Sequence, residues 1–93
     1  MKAAEYNGLC EALHIGHEIS FMYKNKTYFL ERTPTGYALY DISDTTSGDT
    51  GRIVCKFGNS NLHLSVNDFL QKKIFDGLSF SEIYDKVVID YIE

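Results

Sequence analysis

HEISFMYKNKTYFLERTPTGYALYDI, residues 17–42, is the stretch from which the architecture follows. Ile19, Phe21 and Tyr23 fall on one side of an extended chain and Glu18, Ser20, Met22 and Lys24 on the other, the period of two of a half-buried strand. Lys24-Asn25-Lys26 makes a tight polar turn, where Asn tolerates a left-handed backbone, and Thr27 to Arg32 returns as an aromatic-rich strand. Thr33-Pro34-Thr35-Gly36 turns again, and Tyr37 to Ile42 forms a third strand of the same character. The first two strands form a hairpin, and the three together an antiparallel meander.

Toward the N-terminus the period lengthens. From Ala3 to Ile15, Ala3, Tyr6, Leu9 and Leu13, with Cys10 and Ala12 beside them, recur near the 3.6-residue spacing of an amphipathic helix, and Gly16 supplies its stop. Gly8 costs this helix up to about 1 kcal/mol relative to Ala.

Toward the C-terminus, Ser43 to Gly51 carries no large apolar side chain and reads as a polar loop, after which Arg52 to Phe57 resumes as a fourth strand. Gly58 to Asn61 turns, and Leu62 to Leu64 is either an extension of the sheet or the lead into a helix. Ser65 stands three residues before Asp68, a capping arrangement that predicts a helix from Val66 to about Lys73, with Lys72 and Lys73 in its last turn as the helix dipole favours. Ser79 and Glu82 repeat the device and open a second short helix through about Val87. Val88 to Ile92 is β-branched and aromatic, suited to a closing strand that pairs back onto the sheet. The whole reads as one α+β domain over residues 1–93: an N-terminal helix, a four-stranded antiparallel meander, two short C-terminal helices and that final strand.

Composition narrows the class. A chain of 93 residues buries only about 60–65% of the surface its unfolded form exposes, yet an apolar share of 44% with six Phe and seven Tyr is ample for a folded core. No apolar run reaches the roughly 18–20 residues that cross a bilayer, and no basic segment leads into an apolar stretch at the N-terminus, so a cytoplasmic protein is expected. Cys10 and Cys55 lie in different elements without metal or redox spacing. They read as free buried thiols, and a disulfide between them would matter only on export.

Candidate chemistry is sparse. His14 and His17 have a spacing found in metal sites, but Gly16 falls between them and a third ligand would have to come from Glu18, His63 or a cysteine. Helix-end histidines are the plainer reading. A Cys–His nucleophile can be assembled on paper from Cys10 or Cys55, although both fall at core positions of their elements. Ser47 to Gly51 has neither a Walker lysine nor Rossmann spacing, and Asp41, Asp44 and Asp49 depart from the spacing of an EF-hand loop. No catalytic centre, metal or cofactor is expected.

Charge is the sharpest asymmetry. Asp76, Glu82, Asp85, Asp90 and Glu93 face only Lys86 over residues 74–93, a local balance equal to the net −4 of the chain, and Asp41, Asp44 and Asp49 add a second acidic stretch. Such a surface disfavours DNA, RNA and anionic membranes and favours a basic protein, unless it serves solubility alone. The tyrosines of the meander, Tyr28 and Tyr40 among them, are spread over both of its faces, and a helix layer covers only one. Tyrosines left exposed are typical of protein interfaces.

The stretch from His17 to Tyr40 and the segment Phe75-Asp76-Gly77-Leu78-Ser79-Phe80-Ser81-Glu82-Ile83 resemble small proteins of Gram-positive bacteria and their phages. The resemblance is one of general pattern and transfers no functional residue. It implies a cytosolic protein of the sort carried on mobile elements, acting as an inhibitor in the manner of anti-CRISPR or toxin-immunity proteins. The expectation is a non-enzymatic protein that binds and inhibits or regulates a basic, nucleic-acid-binding partner through the acids named and Tyr28 and Tyr40. The alternatives are an immunity protein, a structural subunit of a homo-oligomer, or a small cysteine enzyme.

Overall fold

The period-two stretch becomes three consecutive strands, β1 (Ile19–Tyr23), β2 (Lys26–Thr33) and β3 (Gly36–Asp41), preceded by a helix, α1 (Ala3–His14), in a computed structural model that describes residues 1–43, 51–58 and 61–93. The turn between β1 and β2 holds Lys24 and Asn25 at φ of 49° and 63°, the paired left-handed geometry that matches strand twist in a two-residue hairpin. β4 (Arg52–Gly58) pairs with β3, and β5 (Val88–Ile92) returns to pair with β1, giving an antiparallel sheet in the order β4-β3-β2-β1-β5. The expected α+β architecture holds, and the closing strand becomes the fifth of the sheet. Asp44 and Asp49 lie outside the described residues.

The second helix begins earlier than its sequence suggests. α2 spans Leu62–Gln71 and is capped by Asn61, whose side chain accepts from the Leu64 N–H at 3.1 Å, so Ser65 is not a cap but a buried residue inside the helix. Packing explains the shift: starting at Leu62 sets Leu62, Val66, Phe69 and Leu70 on one stripe, and the last three are buried. The correction extends to the C-terminal end, where Lys72 is the cap residue and Lys73 lies beyond the helix. The Ser79–Glu82 device does open α3 (Phe80–Ile83), which continues into a 3₁₀ turn over Tyr84–Lys86. There the Glu82 carboxylate accepts from the Ser79 N–H at 3.0 Å and from Lys73 at 2.6 Å.

All the helices cover one face of the sheet. Ile19, Phe21 and Tyr23 of β1, Leu30 of β2, Tyr37 and Leu39 of β3 and Phe57 of β4 meet Leu9 and Leu13 of α1, Val66 and Phe69 of α2, and Phe80 and Ile83 of α3 in one buried cluster. Its centre is aromatic: Phe80 stands edge-on to Phe21 at 5.2 Å and lies 4.9 Å from Phe69, which meets Phe57 edge-on at 5.6 Å. Such pairs add roughly 0.5–1.5 kcal/mol each beyond the area they bury. A phenol hydroxyl is built into this layer. The buried Tyr37 hydroxyl donates to the carbonyls of Leu13 (2.9 Å) and His17 (2.6 Å), fastening the end of α1 to β3. The helices approach the sheet closely where β3 begins, since a Cβ on Gly36 would run into the Phe57 carbonyl oxygen and the Ser65 hydroxyl.

Candidate functional site

Because the helices occupy one side, the opposite face of the sheet is left uncovered. The strand registers place Tyr91, Ser20, Phe29, Tyr40 and Ile53 in one row across all five strands on that face. Met22 and Val88 pair beside the row. Met22, Ile53, Val88 and Tyr91 are 41, 46, 58 and 48% exposed, high for large apolar and aromatic side chains on one surface. Ser20 and Ala38 point the same way but are buried, because a small side chain between larger cross-strand neighbours is roofed over by them.

Carboxylates stand among these side chains. Asp90 is the extra residue of a β-bulge, since Ser20 pairs with Tyr91 while Phe21 pairs with Ile89, and it accepts a hydrogen bond from the Ser20 hydroxyl at 3.4 Å. Glu31 faces Ala38 across β2 and β3, diagonally from Tyr40. Partial burial and the Glu31 carboxylate raise the Tyr40 phenol above its ordinary range. The face is thus apolar and aromatic, with acids embedded in it.

The other expected binding residues are dispersed by the fold. Asp76 pairs with Lys24 at 3.4 Å, and Asp41 lies 3.9 Å from Lys26 and accepts from the Ser43 N–H at 2.9 Å, which lowers the Asp41 pKa. Glu82 is committed to Lys73 and to the cap of α3, which hold it down to about 2. Asp85 lines an open cleft with Lys2 and Glu5. Glu93 lies beside the start of β1, where its N–H donates to the Glu18 carbonyl at 2.9 Å and its own carbonyl meets His17 Nδ1. Tyr28 belongs to the opposite, helix-covered side, stacked on Phe21 at 5.2 Å. Of the residues singled out in the sequence, the structure therefore brings Tyr40 and Asp90 together on one face. Glu31, Met22 and Tyr91 were missed there, because which of two alternating faces stays bare is decided by where the helices pack.

A cleft of about 500 Å³ opens at the end of the sheet near Tyr23, Tyr28 and Phe75, rimmed by Lys24, Lys26, Asp41, Arg52 and Asp76. Neither histidine nor cysteine lines it. The thiols lie elsewhere: Cys10 is half-buried in α1, where burial pushes its pKa up and so disfavours the thiolate, and Cys55 is half-buried in β4. His14 does not join His17. It turns instead to His63, 49 residues away in sequence, with the two Nδ1 atoms 2.8 Å apart. Among the described residues no group of three or more His, Cys, Asp or Glu is arranged to hold a metal ion, and no helix is long and apolar enough to cross a membrane.

No family model matches the chain, and neither a curated protein nor a solved structure matches it.

Proposed function

We propose that this protein is a non-enzymatic binding domain that docks the uncovered face of its sheet onto a basic protein and thereby inhibits or regulates it. The observation that carries this reading is the composition of that face: Met22, Phe29, Tyr40 and Tyr91 form an apolar and aromatic surface into which Asp90 and Glu31 project. Tyrosine gives large, rigid contact area at low entropic cost, and embedded carboxylates select a partner that offers lysine or arginine opposite them. The net charge of −4 favours the same partner at long range, and the same charge opposes nucleic acid as the direct ligand.

The test is a titration of the basic protein captured by the wild-type chain from a host lysate against the double variant Glu31→Lys, Asp90→Lys, at low and moderate salt. A loss of at least tenfold in affinity, together with a flatter salt dependence, is expected for the variant, while Lys73→Ala on the helix side stays at the wild-type value. Equal affinity of the double variant and the wild type would remove this face from the interface.

A further inference from the structure

The pairing of His14 with His63 has no part in the docking face. His14 ends α1 and His63 lies in the first turn of α2, and their imidazoles approach edge to edge with ring centres 4.9 Å apart, tilted by 36°. Across this distance one Nδ1 donates to the other, with the roles set by the tautomer; with each ring's proton on Nε2 instead, both Nδ1 atoms have a lone pair to turn toward a cation beside them. Metal–imidazole bonds of about 2.0–2.1 Å in a tetrahedral shell place two ligand nitrogens about 3.3 Å apart, half an ångström beyond the 2.8 Å seen here. His63 is exposed and His14 half-buried, so small side-chain rotations supply that difference and solvent reaches the remaining coordination positions.

We propose that His14 and His63 form a binding site for a divalent transition cation of the imidazole-preferring class, Cu²⁺, Ni²⁺ or Zn²⁺, with water completing the shell. The backbone under each ligand is held independently of the metal. Leu13, immediately before His14, is buried and its carbonyl accepts from Tyr37, while Asn61 caps the turn that carries His63 and Val66 buries the next one. Both nitrogens are therefore presented by elements fixed in the core, which reduces the ordering a metal must impose. A cation held there clips α1 to α2, and imidazole ligation favours Cu²⁺ over Ni²⁺ and Zn²⁺ and all three over Mg²⁺ or Ca²⁺.

The experiment is calorimetric titration and thermal melting of the untagged protein with Cu²⁺, Ni²⁺, Zn²⁺ and Mg²⁺ salts, on wild type and on His14→Gln, His63→Gln and His17→Gln. Expected is saturable 1:1 binding of the three transition cations and none of Mg²⁺. Cation at a hundredfold excess over its Kd raises the Tm by about 10–20 °C. Both effects vanish in His14→Gln and in His63→Gln and persist in His17→Gln. Circular dichroism without metal confirms that each variant folds, and Ni²⁺ broadening of wild-type amide resonances around residues 14 and 63 locates the ion independently of any substitution. Absence of saturable binding, binding that survives in either His14→Gln or His63→Gln, or broadening centred elsewhere overturns the proposal.

Discussion

Tyr37 concentrates at one residue what holds the helix layer to the sheet. Its ring is buried in the core, and its hydroxyl reaches the carbonyls of Leu13, which also accepts from the Gly16 N–H, and of His17 just beyond α1. Burial pushes its pKa up to about 12, so it remains a neutral donor throughout the physiological range. Tyr37→Phe keeps the ring and deletes the donor, so the His17 carbonyl loses the hydroxyl and the Leu13 carbonyl keeps only its backbone N–H. A loss of about 1–2 kcal/mol is expected in urea unfolding, with the m-value unchanged because the surface exposed on unfolding is the same. The sequence placed Tyr37 in a strand but gave no sign of its hydrogen bonds, which join β3 to carbonyls 20 and 24 residues earlier.

Two elements differ in what secures them. α1 contains Gly8 at an exposed position with nothing within 4 Å of where a Cβ would stand, so Gly8→Ala removes backbone entropy from the unfolded chain at no steric cost. A gain of about 0.5–1 kcal/mol in thermal or urea stability is expected, whereas a loss would show that the surface there is occupied in the folded protein. α3 is only four residues long and cannot persist on propensity alone. Its start relies on Glu82, whose folded pKa is depressed from 4.5 to about 2, chiefly by the Lys73 ammonium and then by the Ser79 N–H. Because the folded value is the lower one, this contribution is complete above pH 4.5 and is lost as the pH falls toward 2. Glu82→Gln is therefore expected to lower stability at pH 7 and to leave a shallower decline between those two values, read from urea midpoints at several pH values. Both Ser79 and Glu82 were legible in the sequence as a cap. The false cap at Ser65 had the same local appearance, and it yielded to Asn61 because the earlier start adds a first turn that packs Leu62 against the core in line with Val66, Phe69 and Leu70.

At the scale of the whole molecule, the sheet ends in two strands, β4 and β5, that each have a neighbour on one side only among the described residues. Each carries a bulge, at Val54 opposite β3 and at Asp90 opposite β1. Bulges and charges are the means by which native sheets keep their edges from pairing with other chains, and on β5 both fall on one residue. Asp90→Val would leave Val88 to Ile92 an uninterrupted β-branched and aromatic strand beside an already exposed apolar face. The variant is expected to show a mass that rises with concentration by light scattering, at concentrations where the wild-type mass is constant; a constant mass in both would mean that the bulge alone protects the edge.

Periodicity and turn chemistry by themselves determined the helix, the meander and its hairpin, because those signals act between residues a few positions apart and each is set by the local backbone. The acidic character of the C-terminal segment was equally plain, being a matter of composition. Only the tertiary structure decided which face of the sheet the helices leave bare, that Asp41, Asp76 and Glu82 pair with lysines while Asp90 stands on the bare face beside Ser20, and that His14 meets His63 rather than His17. The reason is that an alternating strand offers two faces and a helix several directions. The choice among them is made by burial of the whole apolar surface at once, a quantity that belongs to the packed chain and to no segment of it.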